Sequence, residues 1–189
     1  MIRCAQINPY NSNTEKLINL WCSEPDFAYV TKYKSAPRQQ ASLAARCLLR
    51  MLSAHQTSLK EIDICMENGP VLYGANQKFY ASVSHSADRA CAVICDTGPI
   101  GIDIERISPD RNLSALIHNI YPAFCGDQQA AYHFWTLLEA YGKAKGCGLD
   151  FTNCATIHHH IQSPAQKEGR HRFMTHEGYA LCLFALNGA

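Results

Sequence analysis

The chain has 189 residues, 47% of them hydrophobic and 17% charged, with 17 Lys and Arg against 16 Asp and Glu for a formal net charge of +1. A chain of this length buries roughly 70% of its unfolded surface, so it needs no disulfide or metal staple, and its apolar content excludes disorder. Bulk charge names no partner, and no apolar run approaches the ~20 residues of a membrane span.

Thr14 to Cys22 has helical spacing, with Leu17, Ile18 and Trp21 on one side. No acidic residue stands between Asp26 and Glu61, while Lys32, Lys34, Arg38, Arg46, Arg50 and Lys60 are basic. That block either attracts an anionic group or forms a solvated helix face. From Arg38 to about His55, Leu43, Ala44, Cys47, Leu48, Met51 and Leu52 recur at three- and four-residue steps, which predicts an amphipathic helix with Arg46 and Arg50 on a shared face. Pro37 suits its first turn.

Phe79 to Val83 predicts a strand leading into a polar turn, Ser84 to Arg89. Ala90 to Cys95 predicts a buried strand, and Ile100 to Glu105 one with period-two alternation. Ser108-Pro109-Asp110-Arg111 reads as a junction, dividing the chain into halves 1–107 and 108–189. Leu113 to Ile120 and Tyr132 to Lys145 predict helices, the second ended by Gly146 and Gly148. Arg170 to Met174 and Tyr179 to Leu186 predict two closing strands, and the mixture is α+β. None of the ten cysteines forms a Cys-x-x-Cys pair and the N-terminus does not read as a signal peptide, so the expectation is a cytoplasmic protein with free thiols.

Three segments carry chemistry. In a strand, Asp103 and Glu105 of Gly-Ile-Asp-Ile-Glu share a face about 7 Å apart, with Ile102 and Ile104 on the other. Hard carboxylate oxygens so placed suit Mg²⁺, although the same pattern serves a solvated strand. In Phe134 to Leu149, Glu139 and Lys143 stand four apart on one helix face, as a plain surface pair or as a third metal carboxylate with a cation for phosphate. Ser84-His85-Ser86 offers hydroxyls, an imidazole and backbone N–H groups to a phosphate, or is an ordinary polar turn.

In this order, Ser-His-Ser, Gly-Ile-Asp-Ile-Glu and Trp-x-x-x-Glu-x-x-x-Lys-x-x-Gly-x-Gly-Leu resemble the surfactin-type 4'-phosphopantetheinyl transferases. Arg46-x-x-Leu49-Arg50 is similar to the family's N-terminal helix, and Glu67-Asn68-Gly69-Pro70 to its Gly-Lys-Pro turn. The resemblance implies two similar α+β halves, each a small, mostly antiparallel sheet packed with a long helix, with coenzyme A bound between them. It implies transfer of the phosphopantetheine arm from coenzyme A to a serine of an acyl or peptidyl carrier protein, releasing 3',5'-ADP. By the same resemblance Asp103, Glu105 and Glu139 hold Mg²⁺, Ser84 and His85 meet the nucleotide's phosphates, and Lys143 meets the pyrophosphate. Glu139, or a metal-bound water that it orients, is the general base. Lys32 and Arg38 are assigned to the 3'-phosphate from charge alone.

Two positions depart from the family's pattern: Leu138 stands where Lys usually precedes the metal-binding Glu, and Gly69-Pro70 lacks the turn's Lys. Lys145 or the basic block is the expected compensation. The competing reading is a catalytically silent homologue that binds coenzyme A or a carrier protein. The block lacks aromatic interleaving and a groove-reading motif, so no nucleic-acid partner is expected. No membrane is expected either, and fused halves imply a monomer. His158-His159-His160, read as extended chain, is assigned no metal because three consecutive residues there cannot face one ion.

Overall fold

The computed structural model describes residues 1–57, 63–65, 71–74, 77–163 and 168–187. Lys60 and the Glu67 to Pro70 turn lie outside the described residues. The chain forms two compact units, Met1–Thr97 and Gly98–Ala189. The α+β class holds in both, with an antiparallel sheet in each.

The first unit runs β1 (Ile2–Ile7), α1 (Ser12–Trp21), α2 (Glu24–Val30), α3 (Ala36–Thr57), β2 (Asp63–Cys65), β3 (Val71–Gly74), β4 (Gln77–Ser86) and β5 (Arg89–Cys95), with sheet order β1-β5-β4-β3-β2. The apolar run Ala90 to Cys95 lies in the interior strand β5, fully buried between β1 and β4. Helix α3 packs on β5, and Leu48 and Leu49 meet Phe79, Ala92 and Ile94 in the core. The turn expected over Ser84 to Arg89 shrinks to Ala87 and Asp88. Ser84, His85 and Ser86 continue β4, paired with Cys91, Ala90 and Arg89.

The second unit runs β6 (Ile100–Arg106), α4 (Leu113–Ile120), α5 (Gln128–Lys145), a 3-10 turn (Phe151–Asn153), α6 (Cys154–Gln162), β7 (Gly169–His176) and β8 (Tyr179–Leu186), with sheet order β6-β8-β7. The Gly-Ile-Asp-Ile-Glu strand therefore belongs here, whereas a division after residue 107 would leave it in the first half. Its ladder runs from Ile100 opposite Ala185 to Arg106 opposite Tyr179, and it is this pairing that moves the boundary to Thr97. Helix α5 begins at Gln128, four residues before the aromatic pattern, because Asp127 caps it by accepting a bond from the Ala130 N–H at 2.8 Å. It stops at Gly146, whose φ of 71° is left-handed. The three-histidine run is helical, on α6, rather than extended. His158 bonds the Tyr121 hydroxyl at 3.1 Å, and His160 is buried beside Tyr141 and Phe184.

Part of the basic block turns inward. Asp26 is fully buried and takes Arg46 Nε on Oδ1 at 2.7 Å and Arg50 Nε on Oδ2 at 2.5 Å. Its Oδ2 also accepts from the Ser23 N–H at 2.9 Å, closing a capping box at the start of α2. Burial alone would raise the Asp26 pKa, but the Arg50 and Ser23 bonds and the two guanidinium charges hold it below the ordinary carboxylate value. A carboxylate with a depressed folded pKa contributes stability that is complete above its unfolded value and is lost as pH falls through the folded one. Asp26→Ala leaves two buried guanidinium groups uncompensated and is expected to lose about 3–5 kcal/mol by urea titration at pH 7. The gap to the wild type should narrow as the pH falls into the acid range below the ordinary carboxylate value.

Candidate active site

Strand β6 and helix α5 come together more closely than side chains normally allow. A Cβ on Gly101 would lie 1.8 Å from the Ala140 carbonyl oxygen and 2.9 Å from the Ala144 backbone nitrogen. Only glycine leaves room for that approach, and the strand's alternation then turns Asp103 and Glu105 to the face that Gly101 presents to α5. Ile102 and Ile104 are buried on the opposite face. A second close approach follows at the helix end, where a Cβ on Gly142 would lie 1.9 Å from the Gly148 carbonyl oxygen. The Gly148 N–H donates to the Gly142 carbonyl at 3.2 Å, folding the chain back over the last turn.

Across this seam, oxygens of Asp103, Glu105 and Glu139 all lie within 4.8 Å of one another. Asp103 is buried; Glu105 and Glu139 are half-buried. Lys143 Nζ donates to Asp103 Oδ1 at 2.7 Å and to the Ile102 carbonyl at 3.1 Å, and stands 3.7 Å from Glu139 Oε2. Burial and the charges of Asp103 and Glu105 raise the Glu139 pKa, with Lys143 opposing. The donors fit a hard divalent ion. Mg²⁺ holds oxygens at roughly 2.0–2.1 Å, which sets them about 3–4 Å apart, a separation that small side-chain rotations reach from here.

Four residues expected from the sequence thus meet in one place. Leu138 is 2% exposed and packed in the core with Phe134, Leu137 and Tyr141, so the substitution falls on a core side chain. Lys145 does not join them either; it pairs with Glu168 at 3.3 Å. A cation that the sequence reading missed does: Arg111 Nη1 stands 3.2 Å from Glu105 Oε2. Its only sequence signal is its place in the Ser-Pro-Asp-Arg junction.

The remaining candidates belong to the first unit. Ser84 is buried and His85 exposed near the end of β4, and as neighbours on a strand they point to opposite faces. Lys32 and Arg38 are exposed and share the Tyr33 ring, at 5.2 Å and 5.0 Å from its centroid, with Lys32 also 3.5 Å over Tyr29. Aromatic residues therefore do interleave with the basic block, contrary to the sequence reading. Pairing with Asp26 takes Arg46 and Arg50 out of its solvent-facing part.

Residues 99–184, which hold the three carboxylates and Lys143, match the model of the 4'-phosphopantetheinyl transferase superfamily. That stretch nearly coincides with the second compact unit. The chain is 32% identical over 120 residues to the 4'-phosphopantetheinyl transferase AcpT of Escherichia coli strain K12, covering 58% of this chain and 60% of the relative. It is 30% identical over 132 residues to AcpT of Salmonella typhimurium, covering 65% and 66%. With the 4'-phosphopantetheinyl transferase psf-1 of Bacillus pumilus it shares 29% over 121 residues, covering 58% and 52%. The matches thus span between about half and two thirds of these relatives' lengths.

Because the atoms facing Gly101 are backbone, no side-chain rotation makes room for a methyl group. Gly101→Ala is expected to lower stability by about 1–3 kcal/mol or more, read as a shift in the urea midpoint.

Proposed function

We propose that this protein transfers the 4'-phosphopantetheine arm of coenzyme A to a serine of an acyl or peptidyl carrier protein, releasing 3',5'-ADP, and that Asp103, Glu105 and Glu139 hold the Mg²⁺ it requires. The observation that carries the reading is the convergence of those carboxylates with Lys143 inside the stretch that matches the superfamily. Mg²⁺ bound there would neutralise charge on the pyrophosphate oxygens.

The chain's own residues supply the rest. The carrier serine's oxygen attacks the β-phosphorus, the bond from that phosphorus to the bridging oxygen breaks, and 3',5'-ADP leaves with the electron pair. Glu139, on the same seam, is the general base that takes the serine's proton. Lys143, fixed by Asp103 and the Ile102 carbonyl, places a cation beside the developing charge. In the first unit, Lys32 and Arg38 are the proposed 3'-phosphate contacts, and Ser84 and His85 the proposed contacts of the nucleotide's other phosphates.

Leu138, the feature that favours a silent homologue, is a core residue packed with Phe134, Leu137 and Tyr141. No described helix is long and apolar enough to cross a membrane. A monomer in the cytoplasm, acting on protein and nucleotide without nucleic acid or membrane, completes the proposal.

Intact mass of apo carrier proteins incubated with the protein, coenzyme A and Mg²⁺ tests it. The expected result is a gain of one phosphopantetheine, abolished by chelator and slowed about 10²–10⁴-fold by Glu139→Gln. Coenzyme A binding without any mass gain would instead establish the silent homologue.

A further inference from the structure

We propose that Arg111 is a positioning residue for the metal site: it fixes Glu105 against α5 so that all three carboxylates face one point. The inference rests on the divalent-metal reading above. Asp103 is held by Lys143, which also stands beside Glu139, whereas Glu105 lies near the solvent end of β6 with a longer side chain. Fixing a Glu side chain in one rotamer opposes metal binding through lost rotamer freedom, and a partner that already orders it lowers that cost.

Arg111 is built to bear that burden. Its guanidinium meets Glu105 Oε2 at 3.2 Å and lies over the Trp135 indole at 5.4 Å. Trp135 is buried on α5, one turn before Glu139, so the guanidinium ties the last acid of β6 to the helix that carries the third. The Arg111 backbone is pinned too, its carbonyl accepting from the Leu113 N–H at 2.9 Å and from the Gln128 side-chain amide. Gln128 in turn accepts from the Ser114 N–H at 3.2 Å, fastening the β6–α4 connection to the first residue of α5.

Two effects of Arg111 on metal affinity oppose each other. As a cation beside a ligand it repels the ion; as an outer partner it holds the ligand in place. The Arg111 and Glu105 side chains are 37% and 20% exposed, so the charge is screened by solvent. Outer partners of metal ligands are typically worth about 10–100-fold in affinity, and positioning therefore wins.

The sign of one measurement decides. Mn²⁺ is titrated into the full chain without coenzyme A and free Mn²⁺ is followed by electron paramagnetic resonance, for wild type, Arg111→Gln and Arg111→Lys. Arg111→Gln is expected to weaken Mn²⁺ about 10–100-fold with an unchanged urea midpoint. Arg111→Lys should recover part of the loss, keeping the charge without the planar guanidinium. Equal or tighter binding by Arg111→Gln would overturn the inference and make Arg111 a counter-charge that the metal displaces. A wild type that takes up no Mn²⁺ would overturn the metal reading itself, and this inference with it.

Discussion

Backbone meets backbone where β6 passes α5, at the point where the Gly101 position faces the Ala140 carbonyl. A strand carrying any other residue there would stand off the helix, and Asp103 and Glu105 would move away from Glu139 and Lys143 with it. The missing Cβ thus converts two sequence-distant acidic segments into one cluster. Gly142 and Gly148 repeat the device at the helix end, where the returning chain passes over the last turn. Glycines in both signatures therefore have a mechanical reason to accompany the acids.

That cluster is electrostatically unfavourable by construction. Burial and the neighbouring charges of Asp103 and Glu105, all with oxygens within 4.8 Å, raise the Glu139 pKa. Lys143 and Arg111 offset part of the repulsion from opposite ends, one on Asp103 and Glu139, the other on Glu105. Among these described residues, three carboxylates against two cations leave a surplus of acid, which suits a divalent cation. The buried core of α5, with Phe134, Leu137, Leu138 and Tyr141, is the rigid support against which these charges are held.

Much of this was legible in the sequence because it rests on local periodicity. The alternation Gly-Ile-Asp-Ile-Glu placed both acids on one face, and the four-residue step from Glu139 to Lys143 placed the pair on one helical face; α3, α4, β5 and β8 followed from the same patterns. What was hidden depends on long-range partners or on short elements. Arg46 and Arg50 read as a surface stripe because Asp26, which buries them, lies 20 and 24 residues away. Helix α2 has only seven residues and its signal is the capping pair Ser23 and Asp26, not an apolar repeat. Strand β1 alternates half-buried and exposed residues at a sheet edge, too weak a pattern to stand out. Arg111 escaped because nothing in a junction says which side chain will turn back onto a strand, and Leu138 looked like a lost charge because sequence alone does not say which way a helical position points.

The central claim is that Asp103, Glu105 and Glu139 together form one divalent-metal site. A crystal grown with Mn²⁺ and measured for anomalous scattering tests it most directly. The account predicts one strong peak with an oxygen of each of the three residues in its coordination sphere, at the roughly 2.0–2.6 Å that oxygen ligands keep from such ions. A map with no peak there, or with the ion bound elsewhere while Lys143 and Arg111 stay on the carboxylates, would contradict it.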